Sequence, residues 1–307
     1  MNKRYIIGFI LIISIVLFLV FLFRIQKQTP AQSNKLQVVA SFYPLYFFAS
    51  QIGGDKAQVI NITPAGIEPH DYEPKAQDMA KIENSSLLIL NGGGLESWGK
   101  NVEININPEH TKILTVGDGL LNRQITENGK ESIDPHIWLS PEVSIKIVDK
   151  ITEGFISVDF VNKDYYLANA DILKERLSNL SLSYKQGLSN CVGKNIITSH
   201  TAFGYLAATY GFNQVSIAGL SPDAEPSTKQ LVDIVKFAKL NNVKFIFFES
   251  LVSPKLSETI ANEIGAQTLV LNPLEGLTAD EVTQGKDYFS EMQNNLLNLE
   301  IALQCKQ

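Results

Sequence analysis

The chain has 307 residues, 45% of them hydrophobic and 19% charged, which is enough for two domains of ordinary size and unlike a disordered or fibrous protein. All four charged residues up to position 30 are basic, so the rest carries 32 acidic against 22 basic residues, a balance of −10. An acidic body argues against nucleic acid as a partner, because phosphate binding needs a basic face, and it suits capture of a cation.

Lys3 and Arg4 precede an apolar run over residues 5–23, and Arg24 and Lys27 follow it. As a helix this run is about 28 Å long, close to the hydrocarbon thickness of a bilayer. Residues 1–34 are therefore predicted to be an N-terminal transmembrane anchor with a polar tether. A cleaved signal peptide is the competing reading, but Arg24-Ile25-Gln26-Lys27 offers no small-x-small cleavage site. The first cysteine is Cys191, so a lipid anchor on an N-terminal cysteine is not expected.

Beyond the tether, short β-rich runs alternate with helical ones. Residues 36–41 predict a strand, 43–52 a helix closed by Gly53-Gly54, and 57–63 a strand running into Pro64-Ala65-Gly66. A helix over 75–84, strands over 86–91 and 111–116, and a polar loop over 121–132 follow. Pro141, an allowed first-turn residue, marks the next helix. Residues 162–188 contain no Gly or Pro before Gly187 and place Tyr166, Ala170, Leu173, Leu177, Leu180 and Leu182 on an apolar stripe. This helix, about 40 Å long, can join two domains. Strands over 194–199, 213–217, 244–249 and 267–271 then alternate with helices over 202–210, 227–240 and 254–264, and one long helix closes the chain from 278 to 304. Such alternation implies parallel sheets covered on both faces. The expected fold is α/β with two lobes, over 35–160 and 189–307, joined by a long rigid helix over 161–188. Cys191 and Cys305 either form one disulfide, stapling the last helix to the second lobe, or stand apart as small apolar residues.

Three of the four histidines sit in distinctive motifs, Glu68-Pro69-His70, Asp134-Pro135-His136 and Ser199-His200, 66 and 64 residues apart. Three imidazoles plus a carboxylate make a natural shell for tetrahedral zinc. Ligands so far apart share no turn or helix, so the site exists only where folded units converge. His200 ends a strand, where open α/β sheets place functional groups. The apolar Ile137-Trp138-Leu139 after His136 suggests a packed wall beside the site. His110, in a polar turn, reads as a solvated residue. Among the acids, Glu275 and Glu249 both follow strands, and the residues alone do not choose between them.

Six segments in order are informative: Ser41-Phe42-Tyr43-Pro44-Leu45, Glu68-Pro69-His70-Asp71-Tyr72-Glu73-Pro74, Asn91-Gly92-Gly93-Gly94-Leu95-Glu96, Asp134-Pro135-His136-Ile137-Trp138-Leu139-Ser140-Pro141, Ser199-His200-Thr201-Ala202-Phe203-Gly204-Tyr205-Leu206 and Gly219-Leu220-Ser221-Pro222. Together they resemble the metal-receptor family of ABC importers (ZnuA/TroA-like), the solute-binding proteins for zinc and manganese, over nearly everything from 36 to 306. The resemblance implies two α/β lobes with one metal between them and His70, His136 and His200 as ligands. It points to Glu275 as the fourth, because the spacing from His200 to Glu275 matches members whose fourth ligand is glutamate, while Asn272 stands where aspartate is frequent in others. Manganese receptors of the family tend to carry glutamate at the position of His200, so Zn²⁺ is the expected cargo and Mn²⁺ the less favoured one. The 121–132 loop lacks the histidines that many zinc members carry there.

The implied function is an extracytoplasmic, membrane-anchored, monomeric receptor that hands zinc to an ABC permease and breaks no bond. A zinc hydrolase and a surface adhesin of the same fold are the rivals. Binding is expected to weaken below about pH 6, because a protonated imidazole cannot ligate.

Overall fold

A strand buried at every position needs cover on both faces, and β3 (Leu87–Leu90) is one. It lies inside a four-stranded parallel sheet with β1 (Leu36–Ala40), β2 (Ala57–Asn61) and β4 (Lys112–Thr115), in the order β2-β1-β3-β4. The second sheet is also parallel. It contains β7 (Asn195–Thr198), β8 (Asn213–Ser216), β9 (Phe245–Phe248) and β10 (Gln267–Val270), in the order β10-β9-β7-β8. Numbered within each sheet, the two orders are the same, 2-1-3-4. In that order the direction of winding reverses between the first and third strands, and the crevice beyond their carboxyl ends is where open α/β sheets bind ligands. The structure is a computed structural model describing residues 35–127 and 129–306; the expected anchor lies outside the described residues. Among the described residues no helix is long and apolar enough to cross a membrane.

Helices α1 (Tyr43–Gly53), α2 (Ala76–Glu83), α3 (Gly99–Asn105) and α4 (Pro141–Val158) accompany the first sheet. Helices α6 (Gly204–Tyr210), α7 (Thr228–Leu240), α8 (Lys255–Ile264), α9 (Ala279–Thr283) and α10 (Tyr288–Ala302) accompany the second. Between them runs α5 (Lys163–Gly187), packed on α1, α4 and α10. Its buried stripe is Tyr166, Ala170, Leu173, Leu177, Leu180 and Tyr184. The Tyr184 hydroxyl donates to the Met292 carbonyl at 2.6 Å. Leu182 is exposed, contrary to expectation: two positions after Leu180 it points to the other side of the helix, and Tyr184 continues the stripe.

Three elements differ from the sequence expectation. Residues 99–105 form a short helix that lacks a strong period. The polar loop over 121–132 contains an antiparallel hairpin, β5 (Gln124–Glu127) with β6 (Lys130–Ile133). The last helix is two. Thr278 caps α9 by accepting from the Glu281 N–H, Asp287 caps α10 by accepting from the Ser290 N–H, and Gly285 takes a positive φ of 71° between them.

Cys191 and Cys305 are bonded, tying the residues after α5 to the end of α10 across 114 positions. Closing so long a loop removes much of the unfolded chain's freedom. Replacing both cysteines with serine is expected to cost about 2–4 kcal/mol of unfolding free energy. An unchanged denaturation midpoint in the double variant would rule that contribution out.

Candidate metal centre

Each candidate ligand is presented by a turn with its own hydrogen-bond scaffold. His200 follows the buried residues Ile196 and Ile197 of β7. Its carbonyl accepts from Thr198 Oγ1 at 2.7 Å and Gln214 Nε2 at 2.9 Å, which fixes the turn. His136 lies in the Asp-Pro-His turn; Asn91, at the end of β3, donates its side-chain amide to the Pro135 carbonyl at 2.9 Å. Asn91 is itself placed by a glycine loop. Gly92, Gly93 and Gly94 all have positive φ, and the loop folds the Glu96 carboxylate back to accept from the Asn91 and Gly92 N–H groups and the Ser41 hydroxyl. The carboxyl ends of β1 and β3 are thereby tied at the switch point.

The wall expected beside His136 is present. Ile137, Trp138 and Leu139 are fully buried, with the Trp138 ring 5.2 Å from His136 and 4.7 Å from Phe42. Trp138 Nε1 donates to the Pro273 carbonyl at 2.7 Å, linking the two halves beside the site. Glu275 sits at the end of a strained turn. Leu274 has φ 54°, in the left-handed region a leucine seldom adopts, and its N–H is held by the Asn272 side-chain oxygen at 2.8 Å. Asn272 is locked in turn by Asn295, whose side chain accepts from its N–H and donates to its carbonyl. Asn272 thus shapes the turn that aims Glu275.

The structure brings His70, His136, His200 and Glu275 together, with one potential ligand atom from each, all within 4.8 Å of one another. His136 Nε2 lies 3.3 Å from His70 Nε2 and 3.2 Å from His200 Nε2. Glu275 Oε1 lies 3.4, 3.1 and 3.3 Å from the Nε2 atoms of His70, His136 and His200. A tetrahedral ion with ligand bonds of about 2.0–2.1 Å has edges of about 3.3–3.4 Å between its ligands. These five separations are within a few tenths of an ångström of that figure. Three side chains are fully buried and His70 retains 10% exposure, so His70 marks the side open to solvent.

Two of the three imidazoles are fixed from behind. His136 Nδ1 meets Asp134 Oδ1 at 2.9 Å, and the same oxygen accepts from the His136 N–H at 3.0 Å. His200 Nδ1 meets Glu249 Oε1 at 2.7 Å, and that oxygen accepts from the His200 N–H at 3.2 Å. A carboxylate on Nδ1 leaves the Nε2 lone pair directed into the cluster, where it could hold a metal. Glu249, the rival of Glu275 on sequence grounds, therefore backs His200 from behind. No side chain meets His70 Nδ1 among the described residues; its backbone N–H approaches Glu68 Oε1 at 3.4 Å. His110 is exposed and outside the cluster.

Burial disfavours every charge here, so neighbouring charges decide the titration. Burial pushes His200 down, but Glu249 and Glu275 outweigh it and hold the imidazolium well above its ordinary range. His136 is raised in the same way, by Asp134 and Glu275 acting against burial. Burial would raise Glu275, yet His200, His136 and His70 hold it well below the ordinary carboxylate range. Glu68, beside it, goes the other way, pushed up to about 10 by burial and by the Glu275 charge. The metal-free site thus favours an ionised Glu275 beside imidazolium at His136 and His200, and a neutral Glu68.

Residues 38–302 match the family model for zinc-uptake complex component A, periplasmic (ZnuA). The chain belongs to the ZnuA family. Its ZnuA-family relatives include the high-affinity zinc uptake system protein ZnuA of Bacillus subtilis (strain 168), 39% identical over 287 residues that cover 90% of each chain. The Zn(II)-bound ZnuA-like domain of Streptococcus pneumoniae AdcA is similar in structure, with a TM-score of 0.77 and 38% identity over 88% of this chain and 99% of that domain. AdcA as a whole, a zinc-binding lipoprotein, is longer, and this chain spans 56% of it. The laminin-binding protein Lmb of Streptococcus agalactiae, described as bifunctional with adhesin and metal-transporting activity, gives a TM-score of 0.79 at 32% identity over 88% of this chain.

Proposed function

We propose that this chain is the extracytoplasmic receptor of a zinc ABC importer. It closes two lobes around one Zn²⁺ through His70, His136, His200 and Glu275 and delivers the ion to a membrane permease. The observation that carries this reading is the convergence of three imidazole nitrogens and one carboxylate oxygen, five of whose six separations are close to the edges of a tetrahedral zinc shell. Three neutral nitrogens suit zinc, whereas Mn²⁺ and Mg²⁺ favour oxygen-rich shells. Zinc is cargo, and no bond is broken: Glu275 Oε1 stands against all three Nε2 atoms, where a hydrolase would keep a water. We place the attachment to the membrane in the apolar run over residues 5–23 and take the working unit as a monomer. Titrating the full chain with zinc against a chromophoric chelator is expected to show one tight equivalent, with Mn²⁺ a poor competitor. A chain that leaves all the zinc on the chelator contradicts the proposal. The similarity to Lmb supports adhesion as a second role, which binding of the metal-free chain to immobilised laminin tests directly.

The shifted histidines set the pH dependence. Zinc must displace the protons that His136 and His200 hold, and both are held above 6.5. Affinity is therefore expected to begin falling above pH 6.5 as the solution is acidified, earlier than free imidazole implies. Metal-free stability behaves in the opposite sense. The raised His200 contributes fully below pH 6.5 and loses that contribution as pH rises through its folded pKa; the lowered Glu275 contributes above 4.5 and is lost only as pH falls through its own. The gain in melting temperature on adding zinc should grow from pH 6 to pH 8. A gain that shrinks over that range contradicts the assignment.

A further inference from the structure

The segment between β4 and the His136 motif crosses to the other half of the molecule at one point. The Asn122 and Arg123 N–H groups both donate to the Tyr205 hydroxyl, at 3.0 and 3.2 Å. Tyr205 is 5% exposed and lies on α6, the helix that follows His200. The Arg123 guanidinium rests over the Tyr205 ring, 5.7 Å from its centre. Its Nε is 3.5 Å from Asp134 Oδ2. The other Asp134 oxygen is the one that holds the His136 ring and N–H. Arg123 Nε and Asp134 Oδ2 are both buried and neither has a hydrogen bond in the described residues, so a few tenths of an ångström separate them from a charge-assisted bond. α6 comes so close that a Cβ on Gly204 would lie 2.6 Å from Asp134 Oδ2 and 2.8 Å from Arg123 Nε. Only glycine lets the start of this helix touch the pair.

We propose that Arg123 is a positioning residue that couples contact between the two halves to retention of the metal, acting through Asp134 on His136. The inference rests on the zinc-receptor reading of the site. Tyr205, from the half that carries His200, supplies the platform and the hydroxyl that keep residues 122–123 in place. Arg123 then stabilises the Asp134 carboxylate, and Asp134 holds the His136 ring with Nε2 turned toward the ion. Parting of the halves withdraws Tyr205, removes the guanidinium from Asp134 and loosens His136, so that zinc leaves faster. An exposed ion pair would contribute little; the Arg123 side chain keeps 35% exposure, but its Nε and the Asp134 carboxylate are buried, and among the described residues His136 has no other partner on Nδ1.

The test uses the full chain and its Arg123→Met, Arg123→Lys and Tyr205→Phe variants. Zinc dissociation into excess chelator gives the rate, and the visible spectrum of the Co²⁺-loaded protein reports the ligand geometry. Arg123→Met is expected to release zinc about 10-fold faster, the lower end of what loss of a supporting partner costs a metal site, with a shifted Co²⁺ spectrum. Arg123→Lys should recover most of the loss, Tyr205→Phe should fall between, and metal-free melting temperatures should stay together. A wild-type rate and spectrum in Arg123→Met overturns the inference. So does a rate change that lysine fails to rescue, or one that follows the metal-free melting temperature. A wild-type chain that takes up neither zinc nor Co²⁺ overturns the receptor reading itself.

Discussion

Replacing His200 with alanine is expected to abolish stoichiometric zinc binding and to destabilise the metal-free protein as well. The first effect follows from the geometry, since the imidazole supplies one of four converging atoms. Supporting partners of metal ligands cost about 10–100-fold when removed, so loss of the ligand itself should exceed that range. The second effect follows from what is left behind. Glu249 is 3% exposed and Glu275 1% exposed, and both rely on His200 as a buried partner. Removing one member of a buried ion pair costs about 3–5 kcal/mol, because the remaining charge stays desolvated. The cost should be largest near pH 6, where the wild-type imidazole is protonated, and should shrink as pH rises through its raised pKa. Elemental analysis and denaturant unfolding of His200→Ala at pH 6 and pH 8 measure both effects. His110→Ala is the control, since that residue is exposed and outside the cluster. Full zinc retention in His200→Ala would remove it from the site.

The second large effect belongs to Trp138. Its ring packs on Phe42 and His136, its Nε1 holds Pro273, and its carbonyl accepts from the Tyr288 hydroxyl at 2.6 Å and the Ser144 hydroxyl at 2.8 Å. Truncating a buried tryptophan to alanine costs about 3–5 kcal/mol through lost contacts and the cavity left behind. Here the damage should also reach the metal. Pro273 stands two residues before Glu275, so the turn that aims the carboxylate loses a tie to the His136 side. Trp138→Phe separates the two contributions, because it keeps an aromatic ring and leaves the Pro273 carbonyl unpaired, a cost of about 1–3 kcal/mol. Zinc binding in Trp138→Ala should weaken even where the protein remains fully folded. Unchanged affinity under those conditions would show that the wall supports the fold alone.

The three histidines were legible because each sits at a break in a regular pattern, held by prolines or at the end of an apolar strand. Glu275 and Glu249 were not separable by their own surroundings. Each follows a strand, and which one faces Nε2 rather than Nδ1 depends on β9 neighbouring β7 and on the strained turn at Leu274. The role of Asp134 has a local signal in the sequence. An aspartate two residues before a histidine can reach both its N–H and its ring. Glu68 stands in the same place before His70, but it reaches only the N–H at 3.4 Å, and the environment pushes it toward the neutral form. The hairpin inside the 121–132 loop also had a sequence sign, the Asn128-Gly129 pair that favours two-residue turns. Its polar strands carry little of the hydrophobic alternation on which strand recognition rests. The split of the final helix is signalled by Gly285 and by two caps, Thr278 with Glu281 and Asp287 with Ser290. No apolar side chain lies between Val282 and Tyr288, so the apolar period breaks there as well. Tyr205 and Arg123 meet only in the folded chain, 82 positions apart, and nothing local announces them.

X-ray absorption at the zinc edge, on the full chain loaded with one equivalent, tests most directly whether these four side chains hold the ion. The geometry predicts four-coordinate zinc with three imidazole nitrogens and one oxygen at about 2.0–2.1 Å. A shell of five or six oxygens, or one with fewer than three imidazoles, would place the metal elsewhere and contradict the account.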